Sequence, residues 1–430
     1  MTTLGITDGR VLRPDLSVEE ADVLVDREGG EVLDVGPDAG RDADERLDAS
    51  GGLVVPGLVN AHTHAAMTLL RGYADDKPLE SWLREDVWPA EAELTLDDIA
   101  AGTRLAALEM IRSGTTGFAD MYFHVPRVAE VVETAGLRAR LGHGVVTVGK
   151  DEAAAWADVE ESLDVAETVR ETSDRIETAF MPHSLTTVGE EYLREGVARA
   201  RDLDVPVHIH ANETRGEVDP LVEEHGVRPL EYAREVGLLE PEDFLAHGVH
   251  VDETEVELLA ETGASVVHCP ASNMKLASGM APVQRLLDAG VGVGLGTDGA
   301  ASNNDLSLLG ELRDAAMLGK LAADDASAVA APDAVRMATA GSADALSLPG
   351  GRIAPGEAAD CIVVDLDAAH LTPVHDPVSH LAYAAAASDV RHTVCDGRVL
   401  MRDREVLTLD ADAVRAEAAD RARDLVTRAN

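Results

Sequence analysis

Histidines and carboxylates recur at the ends of apolar runs along this chain. They stand at or after six of eight such runs, at His62, His64, His183, His208, His210, His247, His268 and Asp298. Residues i and i+2 of a strand point to the same face, so His62 and His64 can hold one ion together. Imidazole and carboxylate suit Zn²⁺, and three or so protein ligands leave a coordination position for water. One metal site explains these residues together, whereas structural roles would need a separate explanation at each strand end.

Asp298 carries the sharpest chemical signal in this set. An unpaired carboxylate buried at a strand end is costly, and a bound metal would remove that cost at Asp298. His208 and His210 compete for one ligand position, because both lie on the same strand face. Glu213 follows His210 by three residues and can reach the site from the loop to carry a proton. An ordinary surface glutamate is the alternative in a chain this acidic.

Eight apolar runs alternate with helical patterns in the middle of the chain. The runs cover residues 53–59, 116–121, 138–146, 176–181, 205–209, 244–246, 265–267 and 291–296. Helical patterns include 96–113, 190–202, 221–236 and 282–289. This alternation predicts a closed (β/α)₈ TIM barrel, in which the residues above converge at the C-terminal ends of the strands. An open doubly wound sheet is the alternative, but it would carry a Gly-rich phosphate loop after its first strand, where this chain has Asn60-Ala61-His62.

The two ends of the chain resemble each other more than either resembles the middle. Both contain short strand patterns with turn signals, such as Glu28-Gly29-Gly30 and the hairpin signal Asp396-Gly397. We therefore predict a small discontinuous β-sandwich domain made of residues 1–52 and 350–430, with the catalytic barrel at 53–349. The last segment, 411–429, is predicted to be a charged amphipathic helix that packs on the rest of the protein.

The charge balance is strongly acidic: 36 Lys and Arg against 80 Asp and Glu give a formal net charge of −44. Nucleic acids and anionic membranes require a basic footprint and are excluded as expected partners. The acidic residues are spread along the chain, which is typical of a surface adapted to a salt-rich cytoplasm. Three cysteines without a C-x-x-C pair indicate neither a disulfide framework nor a thiolate zinc site. With neither a signal-peptide pattern nor a stretch of roughly 18 or more apolar residues, we expect a cytoplasmic protein.

Seven segments of the sequence resemble the amidohydrolase superfamily. They are PGLVNAHTH at 56–64, WPAE at 88–91, PHS at 182–184, HIHANET at 208–214, AHGV at 246–249, HCPASNMKL at 268–276 and GTDGAASNN at 296–304. Within the superfamily they are similar to the 5-methylthioadenosine/S-adenosylhomocysteine deaminases, close to the chlorohydrolase and guanine deaminase branch. The resemblance covers nearly the whole chain and implies hydrolytic deamination of a small adenine nucleoside by a metal-activated water.

The resemblance also implies a role for each of the matched polar residues. One divalent metal, Zn²⁺, would be held by His62, His64, His210 and Asp298, with His210 preferred to His208 because the family places this ligand three residues before the glutamate. A single metal is expected, since the lysine that bridges two metals in other branches is replaced by His183. The remaining roles are a proton shuttle (Glu213), orientation and deprotonation of the water (His247 and Asp298), ribose binding (Glu91) and lining of the substrate pocket (His183 and Ser302).

Three points remain open beside this resemblance: the residue that binds the 5′-substituent, the function and the oligomeric state. Relatives often carry an arginine near the end of the third strand, where this chain has Leu141-Gly142-His143, so His143 is a candidate substitute and the 5′-substituent is undetermined. A related hydrolase acting on a free base or a triazine is the first alternative function, and Glu91 discriminates because such substrates lack ribose. A barrel that binds metal without catalysis is the second, and the intact Glu213 argues against it. The oligomeric state is open, with a homo-oligomer as one alternative.

The acidic composition predicts that the folded protein requires molar salt. Self-repulsion at a net charge of −44 is strong at low ionic strength, and the Debye length falls to about 3 Å at 1 M salt. We expect the apparent Tm to rise across a KCl series. A Tm that stays flat or falls as KCl is added would contradict this adaptation.

Overall fold

The strands of the protein divide between a barrel and a sheet formed by the chain ends. The computed structural model describes residues 2–429. Its strands are β1 (Thr3–Leu12), β2 (Val18–Asp26), β3 (Glu31–Gly36), β4 (Glu45–Asp48), β5 (Gly52–Pro56), β6 (Leu58–Thr63), β7 (Thr115–Tyr122), β8 (Arg138–Val145), β9 (Ile176–Thr178), β10 (Met181–Pro182), β11 (His208–Ala211), β12 (Phe244–His247), β13 (Ser265–His268), β14 (Val293–Leu295), β15 (Cys361–Asp365), β16 (Val390–Cys395), β17 (Arg398–Arg402) and β18 (Glu405–Val406).

The helices lie mainly between the barrel strands. They are α1 (Leu79–Trp82), α2 (Trp88–Glu91), α3 (Leu96–Ser113), α4 (Val125–Ala135), α5 (Glu152–Thr168), α6 (Glu190–Asp202), α7 (Arg215–His225), α8 (Pro229–Glu235), α9 (Glu253–Thr262), α10 (Pro270–Lys275), α11 (Val283–Asp288), α12 (Leu308–Ala323), α13 (Ala331–Arg336), α14 (Ser342–Ala345), α15 (Pro377–Tyr383) and α16 (Ala411–Ala429). Short 3₁₀ turns cover Ala65–Leu70, Val169–Thr172, Ala369–Leu371 and Ala387–Asp389, and π-helical turns cover Leu83–Val87 and Met337–Gly341. Within residues 2–429, no helix has both the length and the apolar character that a membrane span requires.

Parallel strands β6 to β14 close into the predicted (β/α)₈ barrel. One sheet has the order β10-β8-β7-β6, with β9 beside β8, and the other has the order β11-β12-β13-β14. Backbone hydrogen bonds join them: the N–H of Phe180 donates to Pro206 O at 3.0 Å, and the N–H of Asp298 donates to His62 O at 3.0 Å. The fourth strand is interrupted between β9 and β10. The closed barrel confirms the prediction over the open doubly wound sheet.

The first apolar run, predicted as a single barrel strand over 53–59, is two strands. β5 pairs with β1 and β15 in the sheet of the chain ends, whereas β6 pairs with β7 in the barrel. Gly57 separates them, and a Cβ there would lie 2.1 Å from Thr116 Oγ1, so only glycine fits this crossing. Both strands are completely buried, which is why their apolar residues look continuous in the sequence.

The single helix predicted at 221–236 also differs from the structure. In the structure this range contains the end of one helix and all of the next. α7 ends at Gly226, whose φ of +73° belongs to the left-handed region that favours glycine. Pro229 then begins α8 at a position where a missing N–H costs nothing. The predicted helices at 96–113 and 190–202 coincide with α3 and α6.

The chain ends meet in one continuous nine-stranded sheet of order β18-β17-β16-β15-β5-β1-β2-β3, with β4 beside β1. Leu53 of β5 lies opposite Val364 of β15 in an antiparallel pair, so the N-terminal and C-terminal segments lie side by side and join at this pair of strands. The sheet has an apolar core of its own, which includes Leu4, Ile6 and Val363. The hairpin predicted at Asp396-Gly397 joins β16 to β17. The exact domain boundaries at residues 52 and 350 stay predictions, although the strand pairing of β5 makes that strand part of this sheet.

A buried ion pair joins this sheet to the barrel. Arg138 at the start of β8 donates through Nε to Asp360 Oδ2 at 2.7 Å and through Nη2 to Asp396 Oδ1 at 2.9 Å. The side chains of Arg138 and Asp360 are only 6% and 2% exposed. The N–H of Asp396 donates to the other oxygen of Asp360 at 2.7 Å. The charges of Arg138 and Asp360 therefore neutralise each other in the interior of the protein, away from solvent.

The C-terminal helix α16 packs as predicted. Its buried residues are Val414, Ala418 and Leu425. Arg104 on α3 donates to Glu417 on α16 at 2.7 Å, and this pair ties the helix to the barrel.

The junction can be tested by removing one half of its ion pair. Asp360→Ala should lower the free energy of unfolding by about 3 kcal/mol or more, because it leaves a buried guanidinium without its main partner. Arg415→Ala breaks an exposed pair with Asp412 and an exposed hydrogen bond to Ala411 O, and it should change stability by less than about 0.5 kcal/mol. Denaturant unfolding at one KCl concentration compares the two. Equal stabilities would show that the junction contributes no more than a surface pair.

Candidate metal centre and active site

Four predicted residues meet at the C-terminal mouth of the barrel. Donor atoms of His62 on β6, His210 on β11, His247 on β12 and Asp298 after β14 all lie within 4.8 Å of one another, and all four residues are buried. His64, the residue after β6, faces the same space: its Nε2 lies 3.2 Å from Asp298 Oδ1. The tertiary structure thus brings together the complete predicted ligand set and adds His247 to its edge.

The orientation of His62 is set by His208 behind it. His208 Nδ1 lies 2.8 Å from the carbonyl oxygen of Phe244, which can only accept, so His208 donates there. In the neutral ring His208 Nε2 is then an acceptor, and His62 Nδ1–H donates to it at 2.8 Å. His62 Nε2 therefore points a lone pair into the cluster, where it is buried without a hydrogen-bond partner. His208 orients a candidate ligand rather than acting as one.

Backbone carbonyls orient His64 and His210 in the same way. His64 Nδ1 lies 2.7 Å from Met121 O, and His210 Nδ1 lies 2.7 Å from His183 O. Each ring donates to its carbonyl, so each Nε2 presents a lone pair. The two Nε2 atoms are 3.3 Å apart. Two lone pairs at this distance repel each other unless a positive charge lies between them.

Two serines hold the carboxylate of Asp298. The hydroxyls of Ser272 and Ser302 each donate to Asp298 Oδ2 at 2.7 Å. Asp298 Oδ1 is left facing His62 Nε2 at 3.4 Å and His64 Nε2 at 3.2 Å. The hydroxyl of Ser302, predicted to line the substrate pocket, is thus directed at the carboxylate.

The electrostatics of this cluster call for one cationic charge. Burial lowers the pKa of His62 to about 4 and that of His210 well below its usual value, so both rings stay neutral. Burial also opposes protonation of His64, but the neighbouring Asp298 raises the pKa of that ring to about 9. A proton on His64 or a bound cation can therefore balance the buried carboxylate. Three imidazole lone pairs and one carboxylate oxygen fit a single divalent cation.

Glu213 lies beside the cluster in a loop held from behind. Its Oε1 accepts from Ser278 Oγ at 3.4 Å, and its Oε2 lies 3.8 Å from His247 Nε2. The backbone N–H of Glu213 donates to Glu217 Oε2 at 2.8 Å, which fixes the loop to the first turn of α7. Burial raises the pKa of Glu213, so this carboxyl retains a proton more readily than an exposed one. His247 is oriented by Asn273, whose Oδ1 lies 3.0 Å from His247 Nδ1.

The other predicted substrate residues surround this centre. Glu91 accepts from the hydroxyl of Tyr122 at 2.8 Å, and burial raises the pKa of Glu91 to about 7. The ring of His183 lies 4.7 Å from that of His210, and His183 Nδ1 is 2.9 Å from Thr187 Oγ1. His143, in contrast, is buried and pairs with Asp158 at 3.2 Å, so this candidate for the missing arginine is already engaged.

Several supporting residues were not predicted from the sequence. Ser272 and Asn273 lie inside the HCPASNMKL segment, but sequence letters do not show that one holds Asp298 and the other His247. Backbone conformation offered no signal either: His247 and Asp298 adopt φ values of +76° and +61°, rare for residues other than glycine. Strained backbone conformations of this kind are found where the surrounding structure holds a residue firmly in place. At these two strand ends the strained conformation turns both side chains inward.

Comparisons with known proteins agree with this geometry. The amidohydrolase family model matches residues 53–400. The 5-methylthioadenosine/S-adenosylhomocysteine deaminase of Halobacterium salinarum is 67% identical over 428 residues, 99% of each chain. The 5′-deoxyadenosine deaminase of Methanothermobacter thermautotrophicus is 47% identical over 380 residues, 88% of this chain and 89% of that one. The crystal structure of an adenosine deaminase from Xanthomonas campestris with bound zinc superposes with a TM-score of 0.93 at 37% identity, covering 99% of both chains.

The family match spans the barrel and most of the C-terminal sheet, and the Halobacterium salinarum relative is similar over nearly the whole chain. The residues that form the buried cluster all lie inside the matched range. This chain belongs to the amidohydrolase family.

Proposed function

We propose that this chain is a metal-dependent aminohydrolase that converts 5′-substituted adenine nucleosides to the inosine-type product and ammonia. The class includes 5-methylthioadenosine and S-adenosylhomocysteine. The observation that carries the proposal is the buried set of imidazole nitrogens and one carboxylate oxygen beside Glu213, a second carboxyl that can hold a proton. The relatives named above, at 67% and 47% identity, support the nucleoside substrate.

Zinc is the proposed metal, held by His62, His64, His210 and Asp298. The zinc-containing adenosine deaminase structure supports this choice, as does the donor set of three imidazoles and a carboxylate. When bound there, the cation would lower the pKa of a coordinated water and supply a nucleophile near neutral pH. Ser272 and Ser302 keep Asp298 turned toward the cation by occupying its other oxygen.

Glu213 is the proposed proton carrier. Attack at the amino-bearing carbon places electron density on the adjacent ring nitrogen, and the Glu213 carboxyl protonates that nitrogen. His247 lies between Glu213 and the ligand set, where its Nε2 can hold the attacking water in line. Asp298 would accept a proton from that water and return it to the amino group, which leaves as ammonia. The hydroxyl proton on the tetrahedral carbon would pass to the Glu213 carboxylate, so the ring becomes the keto form and the Glu213 carboxyl is restored.

Glu91 and His183 are the proposed substrate-binding residues. The Glu91 carboxylate can accept from vicinal ribose hydroxyls, and Tyr122 fixes it in place. A free base or a triazine would present nothing to this carboxylate. Because the hydroxyl of Ser302 is directed at Asp298, we now assign it the role of holding that ligand.

The cellular setting is also a proposal. A high-salt cytoplasm is supported by the net charge of −44 and by the similarity to a Halobacterium salinarum protein. The same charge disfavours nucleic acid as a partner.

Removing a proposed ligand should remove the metal. We expect His62→Ala, His210→Ala and Asp298→Ala each to lose bound zinc and activity together, because each supplies one of four donors. His380→Ala changes a histidine on α15, outside the cluster, and should keep both. Elemental analysis of the purified variants measures the outcome. A variant with a full complement of zinc would remove that residue from the ligand set.

Ammonia release separates the proton carrier from the ribose contact. The wild type should deaminate 5-methylthioadenosine and S-adenosylhomocysteine but neither adenine nor guanine. Glu213→Gln should keep its zinc and lose about 10²–10⁴-fold in kcat, the usual value of a positioned general acid or base. Glu91→Gln should instead raise KM for nucleosides, because it removes a contact made in both the ground state and the transition state.

Three results would count against these assignments. Near-normal kcat in Glu213→Gln would return Glu213 to an ordinary loop residue. Unchanged KM in Glu91→Gln would remove the ribose contact. Preference of the wild type for a free base or a triazine would favour the alternative hydrolase function.

A further inference from the structure

A cavity of about 740 Å³ opens next to Glu213. Its wall is formed by the segment around α1, by the loop that begins α7, and by residues 276–278. Ser278 belongs to this wall and also donates to Glu213, so the cavity adjoins the proton carrier directly. A volume of this size lies within the range of small-molecule binding sites.

The wall carries charged groups that the protein itself does not neutralise. Arg84, Arg215, Glu80 and Glu85 all line the cavity. Glu85 has Lys77 as a partner at 3.4 Å. The side chains of Arg84, Arg215 and Glu80 are exposed, and among residues 2–429 they make neither hydrogen bonds nor ion pairs. Glu80 also lies next to the loop that carries Arg215, since its Oε1 is 3.2 Å from the Cβ position of Gly216.

We infer that this cavity binds the zwitterionic amino-acid end of a 5′-substituent, with its carboxylate on Arg84 and Arg215 and its ammonium on Glu80. The inference rests on the proposed nucleoside deamination and specifies its substrate class. Guanidinium groups match carboxylates in bidentate geometry, and two of them beside one glutamate complement an α-amino acid in sign and number. A thioether-linked amino acid of the S-adenosylhomocysteine type is then preferred to a methylthio group.

The side chains near the end of the third barrel strand support the cavity as the binding site of the tail, because the candidate residues there already have partners. His143, the candidate there for a tail-binding residue, is buried and engaged with Asp158. Lys150, the cation that follows that strand, also pairs with Asp158, at 2.8 Å. A carboxylate on the substrate would therefore find these two side chains already paired with Asp158, whereas Arg84 and Arg215 have no partner among residues 2–429.

Steady-state kinetics on two substrates test the inference. In Arg84→Gln and Arg215→Gln, kcat/KM for S-adenosylhomocysteine should fall roughly 10- to 100-fold, the value of a hydrogen bond to a charged group. The loss should be in KM, because the tail is remote from the reacting carbon. For 5-methylthioadenosine, kcat/KM should stay within about 2-fold. Arg285→Gln, which changes an exposed arginine on α11 outside the cavity wall, is the matched control and should leave both substrates unaffected.

A binding measurement tests the contact with the amino-acid tail independently of the proposed deamination. Calorimetry with S-adenosylhomocysteine on zinc-loaded Glu213→Gln protein, with and without Arg84→Gln, reports the tail contact without turnover. Selective loss of affinity there would support the inference even if no nucleoside released ammonia, which would refute the proposed function alone. Equal effects of the arginine changes on both nucleosides, or no effect on either, would overturn the inference while leaving deamination in place.

Discussion

The buried carboxylate of Asp298, surrounded by imidazole lone pairs, is the constraint on which the rest of this structure depends. Three rings and the carboxylate face one space, where burial keeps His62 and His210 unprotonated and the carboxylate adds a full negative charge. In a low-dielectric interior that charge needs a positive partner, either a proton on His64 or a bound cation. The site and its metal therefore have to be considered as one unit, and the surrounding protein as the frame that prevents the ligands from turning away.

That frame is largely the barrel backbone. His208 on β11 lies opposite Phe244 on β12 in the parallel register and donates to the carbonyl oxygen of Phe244. The ring held in this way accepts from His62 and so orients His62 across the barrel. His64 donates to Met121 of β7. Because neighbouring strands supply the orienting acceptors, a slip in register would disorient the ligands as well as the core. The fold and the metal site are specified by the same hydrogen bonds.

Charge is distributed on two scales in this molecule. The chain as a whole carries a net charge of −44, which favours hydration of its surface. At the mouth of the barrel the charge is locally balanced, since Arg84 and Arg215 line the cavity together with Glu80 and Glu85. In concentrated salt, long-range steering is screened, so only direct contacts of this kind can distinguish one small substrate from another.

The spacing of polar residues after apolar runs was sufficient to predict the barrel and the convergence of its histidines and Asp298 at one end, whereas the choice of His210 over His208 and the role of Glu213 came from the resemblance to the amidohydrolases. Strand periodicity and the fixed position of a barrel's active site make the barrel and this convergence local consequences of sequence. Three features required the tertiary structure: that His208 orients His62, that the hydroxyl of Ser302 holds Asp298, and that the apolar run at 53–59 crosses between two sheets. Each depends on which atoms of distant segments come within hydrogen-bond distance, and hydrogen-bond geometry is short-ranged and directional. Residue type and spacing determine which chemistry is available, whereas the packing of distant segments decides which atom of each residue performs it.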